Sequence, residues 1–184
     1  MKYLCIEFIN TEWYNFHEMF KEPLKDEKLI LDFFNSWNID FKKPLQNNQI
    51  EILLDLRDLL KKIIYSNCKN EKIDLNDFRL INNYMASYEF KKNIVFENGE
   101  YNIIEVLTNS YVNLVVYKII SSFFDLVSEN KLSRINYCKN PDCNWLFYDE
   151  SKNKTRKWCD NTCASLMKVR KYRNKLKSSN NHLL

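Results

Sequence analysis

Three segments of the chain carry apolar residues at the spacing of an amphipathic helix. The clearest is residues 50–65, where apolar positions recur every three to four residues. Its apolar stripe consists of Ile52, Leu53, Leu56, Leu59, Leu60 and Ile63. Its charged side holds Asp55, Arg57, Asp58, Lys61 and Lys62. Residues 29–37 and 74–84 show shorter versions of the pattern, and Asp74 and Asp77 are placed to form a capping box at the start of the latter.

A β-hairpin is indicated in the middle of the chain. Asn98 and Gly99, the only glycine, separate two runs rich in β-prone residues. A type I′ turn needs positive φ at both central residues, and an Asn-Gly pair supplies them readily. We therefore predict strands over residues 88–97 and 100–106.

Two further apolar segments complete the predicted fold. Residues 107–127 are strongly apolar, but they include two asparagines, a lysine and an aspartate, so we interpret them as a buried helix and not as a membrane span. At the N terminus, Leu4, Ile6 and Phe8 alternate as in a buried strand. The pattern as a whole predicts a mainly α protein with one β-hairpin, an α+β fold.

Composition and the N-terminal sequence indicate where the protein works. The chain has 184 residues, of which 45% are hydrophobic and 28% are charged, so it can bury a core without cross-links. Residues 1–11 carry Glu7 within their apolar run and lack a small-residue cleavage site, so we expect no secretory signal and a cytoplasmic location. In that reducing compartment, closely spaced cysteines more often bind metal or perform redox chemistry than form disulfides.

Four of the six cysteines form two close pairs near the C terminus. Four residues separate Cys138 from Cys143, and three separate Cys159 from Cys163. Two thiolates on a tight turn can both reach one ion at about 2.3 Å, so two such pairs complete a tetrahedron. Four cysteine ligands leave no position open for water or substrate, and we predict one structural zinc ion per chain.

Other roles for the cysteines remain open at this point. Four sulfur ligands also suit iron, and incidental thiols or labile disulfides would need no metal. Cys5 and Cys68 have no partner at metal spacing and are predicted to be small buried residues. Because few apolar residues accompany the four clustered cysteines, we expect residues 134–178 to fold only with metal.

Positive charge is concentrated at the C-terminal end of the chain. Residues 151–184 carry ten Lys and Arg against one acid, a net of +9, whereas the remaining residues have a net of −5. A helix beginning near Cys163 would place basic residues on two faces, with Val169, Tyr172 and Leu176 as a narrow apolar strip that docks the helix. The basic residues expected to contact nucleic-acid phosphates are Arg156, Lys157, Lys168, Arg170, Lys171, Arg173 and Lys175. A solvated charged helix is the alternative.

The C-terminal sequence contains RINYCKNPDCNWLFYDESKNKTRKWC, followed by CASLMKVRKYR. This wording resembles the CGNR zinc finger, a module of bacterial proteins. Besides the cysteines, the matching positions are Asn140, Pro141, Trp145, Leu146, Phe147, Asp149, Ser151, Asn153, Arg156 and Trp158. The tetrapeptide that names the family reads Cys163-Ala164-Ser165-Leu166 here, so its Gly, Asn and Arg are replaced. The resemblance implies a bound zinc ion and a DNA-binding finger.

The N-terminal sequence LCIEFINTEW resembles the opening of the ABATE domain, which precedes this finger in bacterial proteins. The resemblance implies a stress-linked transcription regulator in which the larger domain is a sensor. Candidate ligand contacts are Glu7, Asn10, Thr11 and Trp13, although packing within the domain is an alternative role for this stretch. We expect an ABATE-like domain over residues 1–132, a zinc finger with its basic helix over 133–178 and a flexible tail over 179–184.

Together these features predict a bacterial transcription regulator that binds double-stranded DNA. A small-molecule or protein effector is expected at the N-terminal domain, and a homodimer is the expected form. The alternative function is a zinc-stabilised module that binds a protein or RNA without specific DNA binding. We expect no membrane partner. We also expect no enzyme activity, since a single glycine allows no phosphate-binding loop and no nucleophile motif is present.

Overall fold

The computed structural model describes residues 2–12, 22–39, 44–86, 90–107 and 111–180. These residues form six α-helices: α1 (Leu4–Asn10), α2 (Glu27–Asn35), α3 (Asn47–Cys68), α4 (Leu75–Ala86), α5 (Tyr111–Ser128) and α6 (Asn161–Asn180). They also form four strands: β1 (Phe90–Glu97), β2 (Glu100–Leu107), β3 (Ile135–Tyr137) and β4 (Leu146–Tyr148). β1 pairs with β2 and β3 with β4, both antiparallel. The protein is thus mainly helical with two small hairpins, which confirms the predicted fold class.

The N-terminal segment is a helix and not the strand that its alternating pattern suggested. Leu4, Ile6 and Phe8 are buried, but so are Cys5 and Ile9 among them. α1 packs against α3, α5 and β4, so apolar neighbours surround most of it. A short segment that is buried on nearly all sides has no polar face, and its periodicity cannot separate a helix from a strand.

The three helices predicted from apolar spacing are present as α2, α3 and α4, with modest shifts of their ends. Asp26 caps α2, because its carboxylate accepts hydrogen bonds from the N–H groups of Lys28 and Leu29 at 3.1 Å. Asp74 caps α4, as predicted, by accepting from the N–H of Asn76 at 2.9 Å. Side-chain oxygens at these positions satisfy helix-start N–H groups that have no partner within the helix.

Two charged residues have roles that the pattern did not indicate. Asp77 forms an ion pair with Lys62 at 2.8 Å instead of completing a capping box. Arg57, assigned to the charged side of α3, is only 3% exposed. Its guanidinium donates to the carboxylate of Glu22 at 2.8 and 2.6 Å and to the hydroxyl of Thr11 at 3.0 Å. The buried charge is therefore compensated by an opposite charge held in bidentate geometry.

Helices α3 and α5 form the centre of the hydrophobic core. α3 contributes Leu53, Leu56, Leu60, Ile63 and Ile64. α5 contributes Val112, Val115, Val116, Ile119, Ile120, Phe123 and Leu126. α5 confirms the buried helix predicted within residues 107–127. Among the described residues, no membrane-spanning helix is found.

The β3–β4 hairpin, which begins the C-terminal module, is part of this same core. Ile135 and Leu146 are each 1% exposed and belong to the cluster that contains α1 and α3 residues. The hydroxyl of Tyr65 donates to the carbonyl of Asn144 at 2.9 Å, and its ring stacks on that of Tyr137 with centroids 5.6 Å apart. The boundary between a domain over residues 1–132, which we call the body, and a C-terminal module from residue 133 stays a prediction. β3 and β4, the first strands of this module, pack against α1 and α3 of the body.

The β1–β2 hairpin has the predicted turn. Asn98 and Gly99 adopt φ values of 56° and 84°, as a type I′ turn requires. At the other end of the chain, α6 continues to Asn180, so the first two residues of the expected tail are helical.

Candidate metal centre

The first pair of cysteines lies on a tight turn between β3 and β4. The N–H of Cys138 donates to the carbonyl of Trp145 at 2.8 Å, which extends the strand pairing beyond β3. The N–H of Cys143 donates to the carbonyl of Asn140 at 3.0 Å and closes the turn. Asn144 follows with a φ of 56°, a left-handed conformation that asparagine adopts more readily than most residues.

A loop organised by Asp149 brings the second pair of cysteines to the first. Asp149 is fully buried, and its carboxylate accepts from the N–H groups of Ser151 at 2.8 Å and Arg156 at 2.9 Å. Burial disfavours the charged form, but these hydrogen bonds outweigh it and hold the pKa of Asp149 below its ordinary value. The N–H of Lys139 donates to the carbonyl of Lys157 at 2.9 Å and joins the two cysteine-bearing segments.

The last cysteine lies in the first turn of α6. Asp160 caps this helix: its side chain accepts from the N–H of Cys163 at 2.8 Å, and its carbonyl accepts from the N–H of Ala164 at 3.2 Å. The cap fixes the direction in which the helix leaves the loop. The orientation of α6 is therefore set at the residue that carries the fourth sulfur.

The four clustered sulfurs have the spacing of a single tetrahedral site. All four Sγ atoms lie within 4.8 Å of one another. The Sγ of Cys159 is 3.6 Å from that of Cys143 and 3.6 Å from that of Cys163. A zinc ion with Zn–S bonds of about 2.3 Å separates its sulfurs by about 3.8 Å. No disulfide joins the six cysteines in this structure, and the four clustered sulfurs can hold one metal ion.

The thiols of this cluster differ in how easily they ionise. Burial raises the pKa of Cys143 to about 11, and burial with hydrogen bonding to neighbouring thiols raises the pKa of Cys159. Burial also disfavours the thiolate of Cys138, but backbone N–H groups such as that of Asn140 outweigh it and lower its pKa. A divalent cation among the sulfurs would favour the thiolate at every position.

Three residues around the cluster, Asn140, Asp142 and Arg170, form what we call the clamp. The amide nitrogen of Asn140 donates to the Sγ of Cys163 at 3.4 Å. The amide oxygen of Asn140 accepts from the N–H of Asp142 at 3.3 Å and from the guanidinium of Arg170 at 3.4 Å. Arg170 also forms an ion pair with the carboxylate of Asp142. The clamp therefore holds α6 against the first pair of cysteines, as hydrogen-bond partners around metal ligands commonly do.

Sequence reasoning found the four ligands and missed the clamp. In the sequence Asn140 is a motif position, and Arg170 is a predicted phosphate contact. Two signals were available: an asparagine two residues after a ligand cysteine can reach the turn that follows it, and Arg170 lies seven residues after Cys163, two turns along the same side of the helix.

The predicted phosphate-binding residues fall into two groups. Arg156 and Arg170 make contacts within the module. Arg156 donates from Nε to the carbonyl of Trp158 at 2.8 Å, and its guanidinium lies 4.8 Å from the centre of the Phe147 ring. The remaining five are exposed on the loop or on α6: Lys157, Lys168, Lys171, Arg173 and Lys175. α6 contains no acidic residue, so all of its charged residues are basic.

The apolar strip of α6 does not dock the helix, contrary to the prediction. Its residues are 47–65% exposed: Val169, Tyr172 and Leu176. Leu166, at a position where the named tetrapeptide has arginine, is 42% exposed. The half-buried side of α6 holds Cys163, Met167 and Arg170 instead. Because Cys163 belongs to the sulfur cluster, its position sets the rotation of the helix, and residues four and seven positions later face the same way.

Two of the four N-terminal candidate residues, Asn10 and Thr11, make contacts inside the protein. Asn10 is buried, and its side chain donates to the carbonyl and accepts from the N–H of Leu146, both at 2.9 Å. The hydroxyl of Thr11 donates to the carbonyl of Phe8 at 2.7 Å. Trp13 lies outside the described residues. A ligand role for this stretch stays a prediction, and the observed contacts tie α1 to β4.

Two clefts adjoin the metal site in the described part of the chain. The larger, of about 460 Å³, lies between α1, α3 and the first cysteine turn, and Cys143 is among its lining residues. Glu12 and Lys61 form an ion pair at 2.5 Å in its wall. The smaller, of about 260 Å³, is lined in part by Glu7 and Cys159. Burial raises the pKa of Glu7 above its ordinary value.

Comparison with known proteins bears on the C-terminal module. No curated protein gives a significant match to the chain. The four clustered cysteines, the clamp and most of α6 lie within residues 134–175, and this segment matches the model of the CGNR zinc finger family.

Proposed function

We propose that the protein is a zinc-dependent DNA-binding protein that regulates transcription. The observation that carries the proposal is the placement of α6. Its first turn carries Cys163, one of the four clustered sulfurs, and residues 168–175 expose four basic side chains with no acid among them. A helix that is held at one end before binding loses less conformational freedom when its side chains contact phosphates.

Salt dependence is the direct test of this proposal. If the five exposed basic residues each neutralise a phosphate, log K should fall against log salt with a slope of roughly −4 to −5. The measurement is fluorescence anisotropy of a labelled DNA duplex titrated with the metal-loaded full chain at several salt concentrations. Absence of salt-sensitive binding at low ionic strength would refute the proposal.

Paired variants sharpen the test. K171A/R173A should weaken binding to all duplex sequences alike and flatten the salt slope by about two units, because phosphate contacts carry no sequence information. The control is K28A/K72A, which removes the same charge at exposed positions on the body. Equal weakening by both double variants would indicate an effect of net charge and would contradict a role for α6.

A second candidate function is favoured by the exposed apolar strip of α6. A basic helix with an apolar strip suits the groove of an acidic protein partner, and RNA offers the same phosphate charge. The two candidates separate when duplex DNA, RNA of the same length and polyglutamate compete for the chain at one salt concentration. A preference for polyglutamate or RNA over the duplex would favour the second candidate.

We further propose that the body of the protein senses an effector. In this proposal the protein is a cytoplasmic, stress-linked regulator and not an enzyme. The larger cleft supports this role because it contacts both the body and the turn that carries Cys143. A thermal-shift screen of small metabolites on the full chain is the test. A ligand-induced shift in melting temperature that is lost in K61A, in the cleft wall, but kept in K69A, just after α3, would support the cleft as the effector site. A shift kept in both variants would exclude the cleft.

A further inference from the structure

The β1–β2 hairpin carries an uncovered apolar face. In its register Ile94 stands opposite Ile103 and Phe96 opposite Tyr101, so these four side chains share one face. Their exposed fractions are 74%, 69%, 62% and 79%. The rings of Phe96 and Tyr101 contact each other, with centroids 4.8 Å apart. Four large apolar side chains therefore form one contiguous exposed patch.

The rest of the described protein does not cover this patch. Residues 91–104, whose side chains are described, contribute nothing to the hydrophobic core or to the half-buried layer packed on it. A lone two-stranded hairpin is at best marginally stable in water. Contiguous exposed apolar surface on a folded protein usually marks an interaction site.

The charges on the hairpin favour a second copy of the chain as the occupant. The only charged positions on the apolar face are Lys92 and Glu105, which stand opposite each other in the register. The other face carries five polar or charged positions, Lys91, Asn93, Glu97, Glu100 and Asn102, and three apolar ones, Val95, Ile104 and Val106. The apolar face is therefore neutral overall, with its positive position on β1 and its negative position on β2.

We propose that two copies of the protein associate through these apolar faces, related by a two-fold axis parallel to the strands. This rotation places β1 of one copy over β2 of the other at the same height along the strands. The cross-strand neighbours within one hairpin then become the facing residues between copies: Ile94 meets Ile103, Phe96 meets Tyr101 and Lys92 meets Glu105. Each contact occurs twice, as in any two-fold interface.

The size of the face sets the strength of the association. Eight residues per strand and two strands give a surface of roughly 27 by 10 Å. The area of this face is about 270 Å², smaller than the roughly 800 Å² that each partner buries in a standard interface. The dimer therefore belongs to the weak, concentration-dependent class. The dimer does not depend on DNA binding, and it would bring two basic helices into one particle.

Charge reversal tests the proposed geometry on the metal-loaded full chain. K92E and E105K each place like charges at the facing positions and should raise the dimer dissociation constant by about tenfold or more. An equimolar mixture should recover the dimer, because only the mixed pair brings two negative positions against two positive ones. Sedimentation velocity from about 1 to 200 µM measures all three samples. Recovery on mixing cannot arise from misfolding of either variant.

Two controls complete the experiment. K91E makes the same charge change on the opposite face and should leave the dissociation constant unchanged. F96S removes apolar contact at a position that is exposed in the single chain, and it should shift the protein to monomer without loss of bound metal. A wild-type chain that stays monomeric at 200 µM would overturn the proposal and leave the face to another protein. A dimer that F96S does not weaken, or single variants that do not recover on mixing, would equally overturn it.

Discussion

The side chain of Asn140 connects three parts of the C-terminal module. Its amide nitrogen donates to the sulfur of Cys163, while its oxygen accepts from Asp142 and Arg170. Asn140 is only 4% exposed, so water cannot easily replace these bonds. A hydrogen bond to a ligand sulfur stabilises the thiolate and orients it toward the metal.

The first prediction concerns this residue. Asn140→Ala should lower metal affinity about tenfold or more, because the hydrogen bond to Cys163 and the link to Arg170 are both lost. Competition with a chromophoric chelator measures the affinity. Asn83→Ala, at an exposed position on α4, is the matched control. Unchanged affinity in the Asn140 variant would show that the clamp does not support the metal site.

Glu7 gives a prediction about pH. Burial raises its pKa in the folded protein, and the charge of Lys2 and a hydrogen bond with Asn10 offset this only in part. The unfolded chain therefore loses the Glu7 proton at lower pH than the folded chain, so ionisation of Glu7 destabilises the fold at neutral pH. At about pH 4, below the ordinary pKa, both states are mostly protonated and most of the cost is absent.

Glu7→Gln should accordingly raise the melting temperature at pH 7 and leave it nearly unchanged near pH 4. Glu51→Gln, on the exposed side of α3, should change it at neither pH. Melting curves followed by circular dichroism across this range provide the measurement. A Glu7 variant that melts below the wild type at pH 7 would indicate that the carboxylate makes a favourable contact when charged.

At the scale of elements, α6 and the β3–β4 hairpin are attached to the protein in different ways. Among the described side chains of α6, none belongs to the core, and its contacts pass through Cys163 and the clamp. β3 and β4 place Ile135 and Leu146 in the core beside α1 and α3. β3 and β4 therefore have support from the core that does not depend on metal. Within residues 134–178, we expect metal-dependent folding of α6 and not of these two strands.

Metal removal should separate these two elements. A strong chelator should abolish the helicity of α6, while β3, β4 and the body remain folded. Hydrogen exchange followed by mass spectrometry should show loss of protection over residues 159–180 and retained protection over 135–137 and 146–148. Cys159→Ser should reproduce the effect, whereas Cys68→Ser should not. Loss of protection in β3 and β4 on chelation would show that the strands also need the metal.

The elements that sequence predicted well are those specified by local chemistry. Asn98 and Gly99 define the β1–β2 turn by their own conformational preferences, and Asp74 caps α4 within two residues of itself. The failures depend on contacts between distant segments. α3, α5 and β4 surround α1, so its apolar pattern does not separate a helix from a strand. The strip at Val169 faces solvent because the position of Cys163 in the sulfur cluster fixes the rotation of α6. Neither cause is visible in a local pattern of apolar residues.

At the scale of the whole molecule, Asn10 joins the body to the C-terminal module. Its two hydrogen bonds to the main chain of Leu146 connect residues that are 136 positions apart. Both residues are buried, and Leu146 lies in the core. The N-terminal stretch with the candidate ligand contacts thus links α1 to β4. β4 begins at Leu146, three residues after Cys143.

This link predicts cooperative unfolding of the two parts. In the wild type, urea should unfold the helical body and release the metal in one transition, since β3 and β4 share the core of the body. Asn10→Ala leaves the buried N–H and carbonyl of Leu146 without these partners. Each unsatisfied group should lower the free energy of unfolding by about 1–3 kcal/mol. Circular dichroism and release of metal to a chromophoric chelator should then report separate midpoints, with metal release at the lower urea concentration. Asn82→Ala, exposed on α4, should keep the midpoints together. Coincident midpoints in the Asn10 variant at the wild-type urea concentration would mean that apolar packing alone joins the module to the body.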